Sequence, residues 1–113
     1  MLLSEAIREG ATHRPKGRGA FFGTGVFGMG DDEVLCSCAM GAAYEAVTGY
    51  ASQGESCFPP VVSVLEAHFP LDADVLCPVE ESSKTVMQAV TYLNDRAGWT
   101  REQIADWLAS LGY

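Results

Sequence analysis

No apolar run in the sequence approaches the roughly 18 residues needed to cross a bilayer, so no membrane span is expected. Positive charge is scarce: beyond residue 18 the only bases are Lys84, Arg96 and Arg101, against thirteen acids. Residues 1–18 carry +2 and residues 19–113 carry −10, for a net charge of −8. An acidic body repels phosphate backbones at long range, which argues against nucleic-acid partners. The opening residues Met1-Leu2-Leu3-Ser4-Glu5 meet acid at once and lack the layout of a secretion signal. A cytoplasmic protein with reduced thiols is the expectation. There is no internal repeat and no low-complexity tract, and at 19% charged residues the chain has neither a disordered nor a coiled-coil composition.

What is present suits one folded domain over residues 1–113. The chain is 48% hydrophobic, enough for one buried core. Leu3, Ala6 and Ile7 line one face of a helix over 2–9, with Gly10 as its stop. His13 to Gly19 reads as a solvated basic loop. Six of the twelve glycines fall between residues 17 and 30, interleaved with Phe21-Phe22 and Val26-Phe27. That pattern predicts a β-hairpin, with strands near 20–27 and 33–37 and a turn over 28–32. The alanine-rich run Ala39–Val47 predicts a helix ended by Gly49, and 61–69 a short helix ended by Pro70. Residues 71–81 read as a linker. Val86, Val90, Leu93 and Ala97 recur at spacings of 4, 3 and 4, predicting a helix over 83–97 capped by Ser82 or Ser83. Thr100-Arg101-Glu102-Gln103 fits a capping box for a last helix over 100–111. The fold class is therefore α+β: a small glycine-rich hairpin against four to five short helices, ending in an αα-hairpin.

The candidate chemistry centres on thiols. Cys36 and Cys38 would point to one face of a strand, and Cys38 also falls where a helix N-terminus favours thiolate. A zinc site would combine Cys36, Cys38 and Cys77, with Cys57, His13 or His68 available for the remaining position. No C-x-x-C knuckle supports it, so buried structural thiols and a redox pair stand beside it as readings. His68, between Ala67 and Phe69, reads as a packed histidine, and as the base of a small hydrolase only with a nucleophile beside it. Gly23–Gly28 matches G-x-G-x-x-G, but no helix follows, and a glycine-rich hairpin explains it better. Asp31-Asp32-Glu33 and Asp72/Asp74 read as solvated turns. Thr100–Leu111 resembles one helix of a helix-turn-helix, yet carries only Arg101 as a base.

Two segments carry a resemblance. Cys38-Ala39-Met40-Gly41-Ala42-Ala43 resembles a CALGAA element. The run from Leu93-Asn94-Asp95 through Trp99-Thr100-Arg101-Glu102-Gln103-Ile104-Ala105-Asp106-Trp107-Leu108 resembles an HLNDxHxWTREQIADWL signature. Together they resemble a family of small uncharacterised bacterial and phage-borne proteins, some with a CPVC element to which Cys77-Pro78-Val79 is similar. Glu80 stands where a second cysteine would be, Tyr92 where a histidine would precede the leucine, and Ala97 where another would follow. Ligands at those positions, if relatives use them, are lost in this chain. The resemblance brings no activity with it. Asn94-Asp95 suits a turn between helices, where short polar side chains hold free backbone groups, and Trp99 suits a hydrophobic staple.

With no recognisable catalytic constellation and no cofactor expected, the leading reading is a small non-catalytic, phage-related interaction or accessory protein with a protein partner. Phe21, Phe22, Phe27, Tyr50 and Tyr113 form its candidate exposed aromatic patch. The alternative is the thiol-based zinc or redox site.

Overall fold

The computed structural model describes residues 1–17, 20–26, 33–49 and 58–113. Among them the chain runs α1 (Leu3–Ala11), β1 (Phe22–Val26), β2 (Glu33–Ser37), α2 (Ala39–Thr48), α3 (Phe58–His68), β3 (Asp74–Leu76), β4 (Ser83–Thr85), α4 (Val86–Asp95) and α5 (Arg101–Ser110). The fold is α+β. β1 and β2 form an antiparallel pair in which Phe22 faces Ser37 and Val26 faces Glu33. β3 and β4 form a second, smaller pair, with Val75 opposite Lys84. All five helices and β3 contribute to one buried apolar cluster, with Ile7, Met40, Leu65, Leu93, Ile104 and Leu108 among its largest side chains. No described helix is long and apolar enough to cross a membrane.

Gly10 does not stop α1; it lies inside the last turn and sets how closely α1 meets α2. A Cβ there would come within 1.8 Å of the Ala42 carbonyl oxygen. Gly41 does the same on the other side of α2, where a Cβ would meet the Phe21 carbonyl oxygen at 2.0 Å. Only hydrogen fits at either position. Gly49, by contrast, ends α2 as expected: its φ is +84°, and its N–H donates to the Glu45 carbonyl at 2.7 Å.

The C-terminal half departs from the pattern reading in one place. The expected linker over 71–81 contains β3, and the expected helix start at 83 is β4. Helix α4 begins three residues later because Thr85 caps it. The Gln88 N–H donates to Thr85 Oγ1 at 3.2 Å, and the Thr85 N–H to Gln88 Oε1 at 3.0 Å. Thr85-Val86-Met87-Gln88 is thus a second capping box, which takes the place of the cap expected at Ser82 or Ser83. The box at Thr100 is present as expected, with Gln103 N to Thr100 Oγ1 at 3.0 Å and Thr100 N to Gln103 Oε1 at 2.8 Å. Helix α5 follows α4 after a short link containing Gly98 (φ +71°) and packs mainly on α1.

Candidate functional site

Where the start of α2 meets α4, a pocket of about 290 Å³ opens to solvent. Its floor and walls are apolar, drawn from Phe21, Ala39, Met40, Met87 and Val90. Thr91 is exposed at its edge. Three further groups reach it: Cys38, Asn94 and Asp95. Helical spacing places Met87, Thr91 and Asp95 in one row along α4. That row separates the pocket from a shallower polar shelf lined by Lys84, Gln88, Tyr92 and Arg96.

The polar groups of the pocket are engaged with one another and with the backbone. Asn94 is 1% exposed. Its Oδ1 accepts from the Ala39 N–H at 3.1 Å, and its Nδ2 donates to the Gly17 carbonyl at 3.0 Å and to Asp95 Oδ1 at 2.8 Å. Cys38 is the N-cap of α2: Gly41 N–H donates to its Sγ at 3.4 Å, and Ala42 N–H to its carbonyl at 2.8 Å. The first-turn donors of α2 are thereby answered from inside the protein.

Helix position alone would favour a Cys38 thiolate. Burial instead pushes the thiol up from 9.0 to about 11, against the pull of the Gly41 and Met40 amides, and the Asp95 carboxylate adds to the rise. Removing solvent from the charged form outweighs the helix terminus here. The expected thiolate is therefore replaced by a protonated, weakly nucleophilic sulfur at neutral pH.

Behind the pocket, the basic segment expected to be a solvated loop is held down. Arg101, only 7% exposed, donates to Ser37 Oγ at 3.0 Å, Ala11 O at 3.2 Å and Arg14 O at 2.6 Å. The segment then pairs with the end of β2, Ser37 N–H donating to Pro15 O at 3.0 Å and Gly17 N–H to Ser37 O at 2.9 Å. Arg14 is ion-paired to the nearly buried Glu45 at 2.9 Å. His13 is exposed, as expected. Burial lowers the pKa of Arg101 from its ordinary value, yet the carbonyl oxygens around the guanidinium answer its donors.

The residues singled out in the sequence are dispersed. Cys36 is buried on β2 and Cys77 is buried just after β3. The notion of one strand face shared by Cys36 and Cys38 fails because pairing ends at Ser37 and Cys38 turns into the helix cap. Among the described residues, no three His, Cys, Asp or Glu side chains come together in a group that would hold a metal ion. Cys57 lies outside the described residues. His68 is exposed rather than packed, because it occupies the last, solvent-facing turn of α3; its Nδ1–H donates to the Val64 carbonyl at 2.9 Å. Phe21 and Phe22 are buried, the latter edge-on to Tyr44, and Tyr113 packs against the core, so these three form no exposed aromatic patch. Phe27 and Tyr50 lie outside the described residues, as do Asp31 and Asp32; Asp72 and Asp74 are exposed.

Two positions where the chain departs from the resembled signature come together. Glu80 accepts from Lys84 Nζ at 2.9 Å, and Lys84 sits 5.4 Å from the Tyr92 ring centroid. Lys84 holds the Glu80 carboxyl below its usual range, and Glu80 raises both Lys84 and Tyr92. Asn94 and Arg101 instead fasten the start of α2 and the segment from Ala11 to Gly17. The sequence places Asn94 at the helix turn; its reach to Ala39 and Gly17 has no sequence signal. No family model matches the chain, and neither the curated proteins nor the solved structures contain a significant match to it.

Proposed function

We propose that this chain is a non-catalytic binding protein that receives an apolar group of a partner protein in the pocket between α2 and α4. One observation carries this reading: an apolar pocket of about 290 Å³ whose reactive group, Cys38, is a protonated thiol with its neighbours already hydrogen-bonded. Nucleophilic catalysis asks for a lowered thiol pKa, whereas burial raises that of Cys38. The pocket lies at the small end of ligand sites and suits a single anchoring side chain. Met40 and Met87 supply adaptable walls. A place among phage-borne accessory proteins belongs to the same proposal and is supported by the C-terminal signature alone.

Selection from a random dodecapeptide display library tests the reading. Peptides with a shared apolar anchor are expected on the wild-type protein and are expected to vanish on Thr91→Trp, which closes the pocket from an exposed position. Failure of any such motif to emerge, or its persistence on a folded Thr91→Trp variant, ends the reading.

A further inference from the structure

Three of the residues lining the pocket carry sulfur: Cys38, Met40 and Met87. Met40 is buried and Met87 half-buried, so thioether side chains contribute both to the depth of the pocket and to its edge. Cys38 is buried and keeps its proton, which makes its thiol a polarisable wall and not a charge. Sulfur in such groups favours an aromatic ring over a saturated group of equal size. Volume points the same way. An apolar cavity of about 150 Å³ accepts benzene, and the pocket of about 290 Å³ has room for one ring or two fused ones. The charges nearby are already committed. Asp95 accepts from Asn94 Nδ2 at 2.8 Å and carries a further interaction. Lys84, on the shelf beyond, is tied to Glu80. The electrostatic complement of this site is therefore a neutral, polarisable side chain.

Building on the binding reading above, we infer that the partner's anchor is an aromatic side chain, tryptophan or phenylalanine, received with its ring against Cys38, Met40 and Met87. A rigid ring buries a large area while losing the freedom of only two rotatable bonds. Tryptophan fills the volume best, and the Thr91 hydroxyl, exposed at the edge, can accept its N–H.

The test uses three fluorescent nine-residue peptides with capped ends, each with a central tryptophan, phenylalanine or cyclohexylalanine among serines. Cyclohexylalanine has the carbon skeleton of phenylalanine without the π-face, and is the more apolar of the two. Binding to the full chain is followed by anisotropy. Phenylalanine is expected to bind about fivefold more tightly than cyclohexylalanine, and tryptophan most tightly. Met40→Leu/Met87→Leu keeps the apolar volume and removes both thioethers; its thermal midpoint reports that the fold persists. In that variant the advantage of phenylalanine is expected to fall to about twofold or less. Met87→Leu alone, at the half-buried position, is expected to halve it, and serves if the double variant does not fold. An advantage unchanged in a folded methionine variant overturns the sulfur walls as the basis of selection. Cyclohexylalanine binding as tightly as phenylalanine or more so, with binding abolished by Thr91→Trp, overturns the aromatic anchor and keeps the pocket. Absence of binding by all three, or binding that Thr91→Trp leaves unaltered, overturns the pocket and the aromatic anchor together.

Discussion

The Oδ1 of Asn94, near the end of α4, accepts the N–H of Ala39, the first residue of α2, at 3.1 Å. One helix thus caps another across 55 residues of sequence. The same amide reaches Gly17 through Nδ2. Asn94→Ala leaves a buried donor and a part-buried acceptor without these bonds. A loss of about 3 kcal/mol is expected. Urea unfolding measures it, and hydrogen exchange should show the Ala39 amide opening faster than in the wild type.

Arg101 does for the basic segment what Asn94 does for α2. Its guanidinium bridges Ala11, Arg14 and Ser37, which no lysine ammonium can span with the same fork. Arg101→Lys is expected to cost about 2 kcal/mol, and Arg101→Ala about 3–4 kcal/mol through the unanswered, part-buried carbonyls of Ala11 and Arg14. Limited tryptic proteolysis offers a local readout: cleavage between Lys16 and Gly17 should accelerate in both variants. A segment equally resistant in both would contradict the role given to Arg101.

Cys38 predicts a loss of stability in alkali. Its thiol is raised from 9.0 to about 11 by burial. Below pH 9 both folded and unfolded chains hold the proton, and the stability is fully present. Between about pH 9 and 11 the unfolded chain ionises first, so unfolding is favoured by about 2–3 kcal/mol in total. Cys38→Ser removes that contribution, because serine does not titrate in this range, while its hydroxyl can still cap α2. Chemical denaturation at a series of pH values should show the difference between the two proteins growing from pH 9 to 11 and then levelling.

Gly10 and Gly112 separate two uses of glycine. Gly10→Ala drives a Cβ into the Ala42 backbone, so α1 must move off α2; about 3 kcal/mol or more is expected. At Gly112 a Cβ meets nothing within 4 Å, and only the φ of +87° resists it. Gly112→Ala should cost about 1 kcal/mol. Thermal unfolding of the two variants orders them, and equal midpoints would refute the close approach at Gly10.

Periodicity and local chemistry made most elements readable. The spacing of Val86, Val90 and Leu93 marks the buried face of α4, all three being fully buried. Thr100 and Gln103 form their box within a single turn. The hairpin strands fall at 22–26 and 33–37, close to their expected places, because glycines punctuate that stretch. Short strands were harder. Ser83–Thr85 is paired only because Asp74–Leu76 lies beside it, and three residues carry too little pattern to announce that. The site was less legible still. The helix position of Cys38 favours a thiolate, and burial reverses that chemistry.

By itself, the sequence determined the acidic charge, the glycine-punctuated hairpin, the helical faces and the cap at Thr100, all of which depend on neighbours a few residues away. Tertiary structure alone decided that Gly10 is a contact and not a stop, that Arg101 grips the chain at Ala11, Arg14 and Ser37, and that Asn94 reaches Ala39. It alone decided that Cys38 keeps its proton beside a pocket edged by Asp95. Those outcomes depend on which distant groups share a site and on how much water is removed from it. Neither quantity is a function of local sequence.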